Sequence, residues 1–542
     1  MLTYTPKSAS AHSPVKEQDK PWLLVLLCLF WLLPGLVGHD PWKPEENENA
    51  ALVISLLRSN NWVVPYLADQ PYFETAPLYF WIAASLANAL TWFGIAVHDA
   101  ARLTSGLWMG MAFWGAGLAG REIFGHRFGR LTVVLLLGSL GLLVWGHHIA
   151  PAVLLVAANA WLIYALALSL RQPLWAGVLL GLSLLVMLLG ATWADALLGL
   201  MVALGILVLP QWRKSTALVT IVTAIIIALP LAALWGYALQ SQSPVLFQAW
   251  WRNFAWGAYG GAQTVQWLQQ PGYLLSLLPW FAWPVLPLAM WSLWINRAEL
   301  QFNSRWSLLL WFTSAQFIFV FFAGHTSEAI ALPLLIAFSL IATRGVDDLR
   351  RGAASALNSF AILTFGLGAV TLWLIWGMLF FEQPQVVKYF SRYSSASIAV
   401  DPYGFIFAFI ATVLWGGVLL RRRAMGRKAL TNWGCGLILV LAVTVGLFQD
   451  WINAGKTYRP VADAVHILVS KIQPGCIDAV GLPSAPLGAI AYFGTAKLET
   501  DPANECAMAI RAASNVPKQP WTALAQARRL GESKESFVIY LK

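Results

Sequence analysis

The chain reads as a mostly α-helical, polytopic membrane protein with about 13 transmembrane helices, interfacial helices in its first outer loop and a small C-terminal α/β domain. Three observations predict this. Of 542 residues, 58% are hydrophobic and 11% charged, whereas a soluble domain carries about 25% charged residues. Apolar runs of about 20 residues recur from end to end, without the alternating ten-residue segments of an outer-membrane barrel. The 30 Trp and 28 Phe need burial, which excludes a disordered chain. The net charge of +10 fits Lys and Arg gathered in cytoplasmic loops rather than a nucleic-acid partner.

The polar segment 1–21, with Lys7, Lys16 and Lys20, is expected to be a cytoplasmic tail. Trp22–Gly38 follows without a small-residue cleavage site and reads as a retained anchor. It opens a membrane domain over 22–449, whose further apolar runs begin near Pro77, Leu103, Leu131, Ala152, Leu174, Trp193, Ala217, Tyr273, Trp306, Ala329, Phe360, Phe405 and Trp433. Basic residues cluster at Arg121–Arg130, Arg171, Arg213–Lys214, Arg297 with Arg305, Arg344–Arg351 and Arg421–Lys428. All of them fall in the cytoplasm only if Pro77–Val97 lies in or dips into the outer interface. That parity puts the N-terminus inside, and the loop 39–101 and the tail 450–542 outside.

The tail is punctuated by Pro and Gly; Phe537–Leu541 reads as a strand and Pro520–Leu530 as a helix. Cys476 and Cys506, in an oxidising space, are expected to form a disulfide, while Cys28 and Cys435 in apolar runs read as packing residues. The chain has no P-loop, no GxGxxG after a strand, no HExxH and no CxxC, which argues against nucleotide-driven transport and zinc hydrolysis. A transporter also lacks its usual paired, broken helices in two halves.

Candidate chemistry concentrates in the first outer loop, His39-Asp40-Pro-Trp-Lys43-Pro44-Glu45-Glu46-Asn47-Glu48. Pro44 followed by acids is a good helix start, and Ala50–Arg58 continues it as an amphipathic helix. The acids either cap that helix or supply a base or metal ligand at the mouth of a lipid-accessible cavity. Downstream, Asn61-Trp-Val-Val-Pro-Tyr66 and Tyr72-Phe-Glu74-Thr-Ala-Pro-Leu-Tyr-Phe-Trp81 set aromatics beside Pro at headgroup depth. Glu74 among them needs a cationic partner or water. His147 and His148 end a crossing. They are either interfacial, or join Glu45 or Glu46 and His325 around a metal or phosphate. Adjacent residues on a helix point about 100° apart, so both cannot hold one ion. Asn159 and Asp195 are polar groups at membrane depth, where such groups line cavities more often than lipid.

The acidic pair after the first crossing, the WVVP and YFExxPLYFW segments, Ala-Ala-Arg102-Leu103 and Phe124-Gly-His-Arg127-Phe-Gly129 together resemble the aminoarabinose-transferase-like branch of the GT-C glycosyltransferases, a superfamily that includes protein O-mannosyltransferases. Trp251-Arg252-Asn253-Phe254, Pro279-Trp280 and Glu328-x-x-x-Leu332-Pro333 follow in the family's order, so the resemblance covers roughly residues 20–345. It implies about 13 crossings with a periplasmic C-terminal domain in the bacterial inner membrane, in agreement with the parity argument. It further implies an inverting transfer of sugar from a polyprenyl-phosphate carrier to a lipid A, glycan or protein acceptor. On that reading Glu45 is the base or orients a divalent metal, Glu46 and Glu74 give electrostatic support, Arg58, Arg252 and Lys43 contact the donor phosphate, and His147, His148, His325 and Glu328 line the cavity.

The chain also departs from the family pattern. Glu45-Glu46 stands for Asp-Glu, Glu48 for an Arg, Phe73-Glu74-Thr75-Ala76 for Phe-Glu-Lys-Pro, and Thr326-Ser327 for a basic pair. The losses remove cations, and they keep open a second reading: a GT-C-like protein that binds a polyprenyl lipid or a partner without catalysis.

Overall fold

A computed structural model describes residues 21–59, 61–270, 272–300, 303–391, 401–420, 425–502, 506–515, 521–532 and 535–542. Of the expected tail 1–21, residues 1–20 lie outside the described residues, as do the basic residues Arg421–Arg423.

Helix α1 (Pro21–Leu32) is apolar throughout and stops before Pro34 and Gly35. The chain then enters the first loop, whose helix α2 (Glu46–Ser59) opens on Glu46 and Glu48 and closes on Arg58. Acids at the start and a base at the end both suit the helix dipole. A two-residue hairpin, β1 (Tyr66–Leu67) with β2 (Gln70–Pro71), leads to α3 (Leu78–Leu90), a 3₁₀ turn at Thr91–Phe93 and α4 (Val97–Phe124). At 13 residues, α3 spans about 20 Å, short of a hydrocarbon core of about 30 Å. Trp92 and Phe93 stand exposed at its end.

Beyond α4, the described residues contain six helices long and apolar enough to cross a membrane, or seven if Tyr273–Phe281 and Val285–Ile295, bent by 94°, form one broken span. The chain is therefore a multi-pass membrane protein. Several other apolar runs form shorter helices, including Val153–Leu168 and Trp193–Gly205. Helices Pro173–Gly190 and Ser215–Gln242 approach closely because Gly177 and Gly181 face the second helix. A Cβ at Gly177 would lie 2.9 Å from the Thr220 carbonyl, and one at Gly181 3.0 Å from that of Ala224, the close approach that small residues four apart allow in membranes.

The last long helix runs from Met425 to Lys456, and a separate apolar core begins at Tyr458. Helices Arg459–Ile472 and Ser484–Phe493 pack on a five-stranded sheet of β3 (Ile477–Asp478), β4 (Leu498–Glu499), β5 (Met508–Ala512), β6 (Thr522–Arg528) and β7 (Ser536–Leu541), ordered β4-β3-β5-β7-β6. The strand expected at Phe537–Leu541 is β7. The helix expected at Pro520–Leu530 is corrected: Thr522–Arg528 is an edge strand, antiparallel to β7, and Pro520 lies outside the described residues. Its alanines favour a helix in isolation, but hydrogen bonding along β7 overrides that propensity.

Cys476 and Cys506 are joined, with Cα atoms 5.3 Å apart, just ahead of the parallel strands β3 and β5. Closing a loop of this length constrains the unfolded chain by about 3–4 kcal/mol. Mass spectrometry of unreduced protein is expected to find the two linked, and Cys476→Ser to lower the unfolding temperature. Two freely alkylated thiols in native protein would refute both.

Candidate functional site

The site is organised around an arginine inside an apolar helix. Arg102, on α4, is fully buried. It donates from Nε to Glu46 Oε1 at 2.8 Å, from Nη1 to Asp99 Oδ1 and the His39 carbonyl at 2.8 Å each, and from Nη2 to the Asp40 carbonyl at 2.7 Å. Glu46 in turn accepts from the backbone amides of Trp42 (2.8 Å) and Ile149 (2.9 Å). Burial alone would raise the Glu46 carboxyl, but the charge of Arg102, with His148 and His39, holds it down to about 2. Glu46 is a permanent carboxylate locked in place. Both its oxygens are committed to protein groups.

One residue earlier the outcome reverses. Glu45 is accessible, yet partial burial, and after it the like charges of Glu48, Glu328 and Glu74, push its carboxyl up to about 7. Glu48 is also raised, by burial and by Glu74, against a hydrogen bond from Ser484. Glu328 opens the helix Glu328–Gly345 and accepts from Trp145 Nε1 at 3.2 Å. The structure thus gathers Glu45, Glu48, Glu74 and Glu328 from three separate parts of the sequence into one acidic cluster. Among the described residues, no three His, Cys, Asp or Glu side chains are placed to hold a metal ion, so the cluster is not a preformed cation cage.

Two of the residues expected at the donor phosphate, Arg58 and Lys43, meet protein groups of the C-terminal part. Arg58 donates to the carbonyls of Ala491 (2.9 Å), Tyr492 (3.2 Å) and Gly494 (2.9 Å), capping the end of helix Ser484–Phe493. Helix ends leave carbonyls unsatisfied, and a guanidinium fork answers three at once. Lys43 lies 3.8 Å from Glu535 of the C-terminal domain. Arg252, in the last turn of helix Pro244–Asn253, is exposed and has no ion-pair partner among the described residues.

The histidines diverge as their spacing requires. The buried His147 ring faces the carbonyls of Leu143 (2.7 Å) and Trp31 (2.6 Å) and packs on the Trp31 ring. His148 turns the other way, edge-on to Trp42 at 6.2 Å. His325 is exposed, its backbone amide bonded to the Ala258 carbonyl. Asn159 pairs with Gln316 at 2.6 Å, and Asp195 accepts from Thr192 at the start of its helix, so both are satisfied locally.

Asp40 joins the first loop to the C-terminal domain. It accepts from Arg459 at 2.7 Å and from Thr457 at 3.1 Å. Burial opposes its ionisation, but the bonds from Arg459 win and lower its pKa. The hub role of Arg102 is the main feature that sequence reading passed over. The available signal was a charged residue within an apolar run, which is costly unless partnered.

Beside Arg252 an apolar cavity of about 510 Å³ is walled by Trp193, Trp235, Phe247, Trp250 and Trp251, with Gln240 at its edge. Phe254 packs on Phe73 at 5.9 Å, so the cavity wall adjoins the segment that carries Glu74.

No protein-family model matches the chain. It is 27% identical over 385 residues, 66% of this chain and 65% of the relative, to an undecaprenyl phosphate-alpha-4-amino-4-deoxy-L-arabinose arabinosyl transferase of Pseudomonas fluorescens. It is 27% identical over 472 residues, 81% of this chain and 78% of the relative, to the enzyme so named in Yersinia pestis. The match thus spans slightly under two thirds of the Pseudomonas protein. Its fold is that of ArnT from Cupriavidus metallidurans: TM-score 0.66 to the form bound to undecaprenyl phosphate and 0.67 to the apo form, each covering 96% of this chain and 97% of the other, at 16% and 17% identity. The sequence resemblance to the aminoarabinose-transferase-like GT-C proteins holds in both comparisons.

The two neighbouring glutamates are expected to behave oppositely. Glu46→Gln removes one of the two carboxylates on a buried guanidinium, leaving Asp99, and should cost roughly 1.5–3 kcal/mol. Because the Glu46 pKa is depressed, its stabilisation is present above the ordinary 4.5 and is lost as pH falls toward about 2. The Glu45 pKa is raised, so its ionisation costs stability as pH rises from 4.5 to about 7, and Glu45→Gln should unfold at a higher temperature than wild type at pH 8. Thermal unfolding of the three proteins at pH 3, pH 5 and pH 8 checks both signs, the step from 5 to 3 for Glu46 and the step from 5 to 8 for Glu45. Equal curves for Glu46→Gln and wild type would remove the hub from the account.

Proposed function

We propose that the chain is an inner-membrane glycosyltransferase that takes a sugar from a polyprenyl-phosphate carrier and gives it to a lipid A, glycan or protein acceptor at the periplasmic face. The observation that carries this reading is the opposite fate of two adjacent carboxylates. Arg102 fixes Glu46, and with it the start of α2, while Glu45 is left accessible and poised near neutrality, where a general base works best. The names of the relatives make an undecaprenyl-phosphate-linked pentose the first donor to test.

In the proposed reaction Glu45 takes the proton of the acceptor hydroxyl as its oxygen attacks the anomeric carbon from the face opposite the phosphate. The bond from that carbon to the phosphate oxygen breaks, and the polyprenyl phosphate leaves with the bonding pair. Attack from the opposite face inverts the anomeric centre. Glu74, Glu48 and Glu328 sustain the raised basicity of Glu45 by like charge. Arg252 meets the phosphate, and the tryptophan-walled cavity takes part of the apolar chain. About 13 crossings are proposed, with the N-terminus in the cytoplasm, α3 at the outer interface and the C-terminal domain in the periplasm. The non-catalytic lipid-binding reading draws support from the acidic cluster, which offers no cation to a donor phosphate.

Glu45→Gln is expected to fold, bind polyprenyl phosphate and lose transfer by about 10²–10⁴-fold, whereas Asp40→Asn should act mainly on docking of the C-terminal domain. The acid limb of kcat/KM should fall near pH 7, since the base must be ionised. Unchanged transfer by Glu45→Gln would reject the assignment. Wild type that binds the lipid but turns over no linked sugar would favour the non-catalytic reading. For topology, a reporter fused after Gly125 should be active only in the cytoplasm and one fused after Lys542 only outside it. The opposite pattern at Gly125 would make α3 a true crossing.

A further inference from the structure

The acidic cluster raises a question that its own residues do not answer. A lipid-linked donor brings a phosphate, yet Glu45, Glu48, Glu74 and Glu328 are all negative or neutral. Arg58 and Lys43 point to the C-terminal domain.

A cation does stand close by, delivered from the other end of the chain. The helix Met425–Lys456 ends where its last carbonyl accepts the Lys43 amide at 3.3 Å, and Trp42 bridges to Thr457. This register lays the Lys456 ammonium over the Trp42 ring, 5.1 Å from its centroid. Trp42 is buried, held by Nε1 to Asn453 (3.1 Å) and by its amide to Glu46, with the His39 ring stacked against it at 3.9 Å. Its position is therefore rigid. The His148 ring meets it edge-on, within electrostatic reach of Lys456.

Among the described residues, the Lys456 ammonium has no carboxylate at ion-pair distance and no hydrogen-bond acceptor, and the His148 ring has no hydrogen-bond partner. The acid that acts on the Lys456 charge is Glu46, whose two oxygens already serve Arg102 and two backbone amides. A half-buried ammonium and an imidazole edge thus flank one indole, three residues before Glu45, with their donors unanswered. An ammonium on an aromatic face gains about 0.5–2 kcal/mol and still has donor capacity for an anion.

We propose that Lys456, positioned by Trp42 and assisted by His148, binds the phosphate of a polyprenyl-phosphate lipid at the start of the first outer loop. The inference rests on the transferase reading for its choice of lipid over free phosphate. It adds to Arg252 a second donor-binding cation, at the junction with the C-terminal domain rather than in the first loop, so docking of that domain completes the binding site.

The test uses the full-length protein in nanodiscs and three probes: farnesyl phosphate, farnesol and inorganic phosphate. Wild type is expected to bind farnesyl phosphate at least about tenfold tighter than farnesol, the range of a hydrogen bond to a charged group. Lys456→Met should lose most of that increment while keeping its affinity for farnesol, and Lys456→Arg should retain it. Farnesyl phosphate, but not farnesol, should protect Lys456 of wild type from amine acetylation, a readout that does not depend on the variant folding. Lys456→Met binding farnesyl phosphate as wild type does, or Lys456 remaining equally reactive with and without it, overturns the proposal. Protection by inorganic phosphate with none by farnesyl phosphate overturns the lipid as its source. Loss of the phosphate increment in Lys456→Met stands even if wild type transfers no sugar, in which case the transferase reading alone falls. Full transfer with an indifferent Lys456 does the reverse.

Discussion

The structure depends on the pairing of Arg102 with Glu46. Both groups are withdrawn from water, which costs several kcal/mol per ion before any attraction is counted. The pair is tolerable because almost every donor and acceptor on it is used. The guanidinium reaches Glu46, Asp99 and two carbonyls of the first loop, and Glu46 takes two further amides. The same bonds define the loop. They hold His39 and Asp40 against α4, set the first turn of α2 and anchor the bend at Ile149. Glu45, one position from this locked residue, inherits a fixed backbone while its own carboxylate stays free.

The second constraint is the attachment of the C-terminal domain. Arg459 reaches Asp40, Arg58 caps the helix Ser484–Phe493, and Lys43 turns to Glu535. Cations that lie near the acidic loop in sequence are in this way committed to joining two parts of the chain. The acids left behind are concentrated rather than neutralised. Like charges at close quarters destabilise the folded state while raising the basicity of Glu45, so the same repulsion that costs stability supplies reactivity, a trade common at working sites.

These two features explain why adjacent residues of the same type have unrelated roles. Glu46 is the first residue of α2, and Glu45 precedes it in the turn, its carbonyl accepting the Asn49 amide at 3.0 Å. One carboxylate is held by an arginine in the protein interior, and the other stays accessible among like charges. Their pKa values move apart, toward about 7 and about 2, and the separation of titrating groups by environment is what marks acid and base roles in active sites.

Much of this was legible in the sequence, and for identifiable reasons. Apolar runs report membrane helices directly, because burial in lipid demands continuous apolar surface. Pro44 and the following acids announced the start of α2, alternating β-branched and aromatic residues announced β7, and the two cysteines of the tail announced their pairing. The gathering of Glu45 and Glu74 near one another was readable from their shared loop. What sequence could not carry were the relations between distant segments. The edge strand Thr522–Arg528 is set by hydrogen bonds to β7 rather than by its own alanines. Arg58 looks free on a helix surface until the carbonyls of a helix more than 430 residues later arrive against it. Arg102 reads as an oddity in an apolar run until four partners surround it, and Lys456 as an ordinary base at a helix end until Trp42 lies beneath it. Local pattern records what each segment needs to bury. Which charge meets which depends on distance in space, and only the tertiary structure decides that.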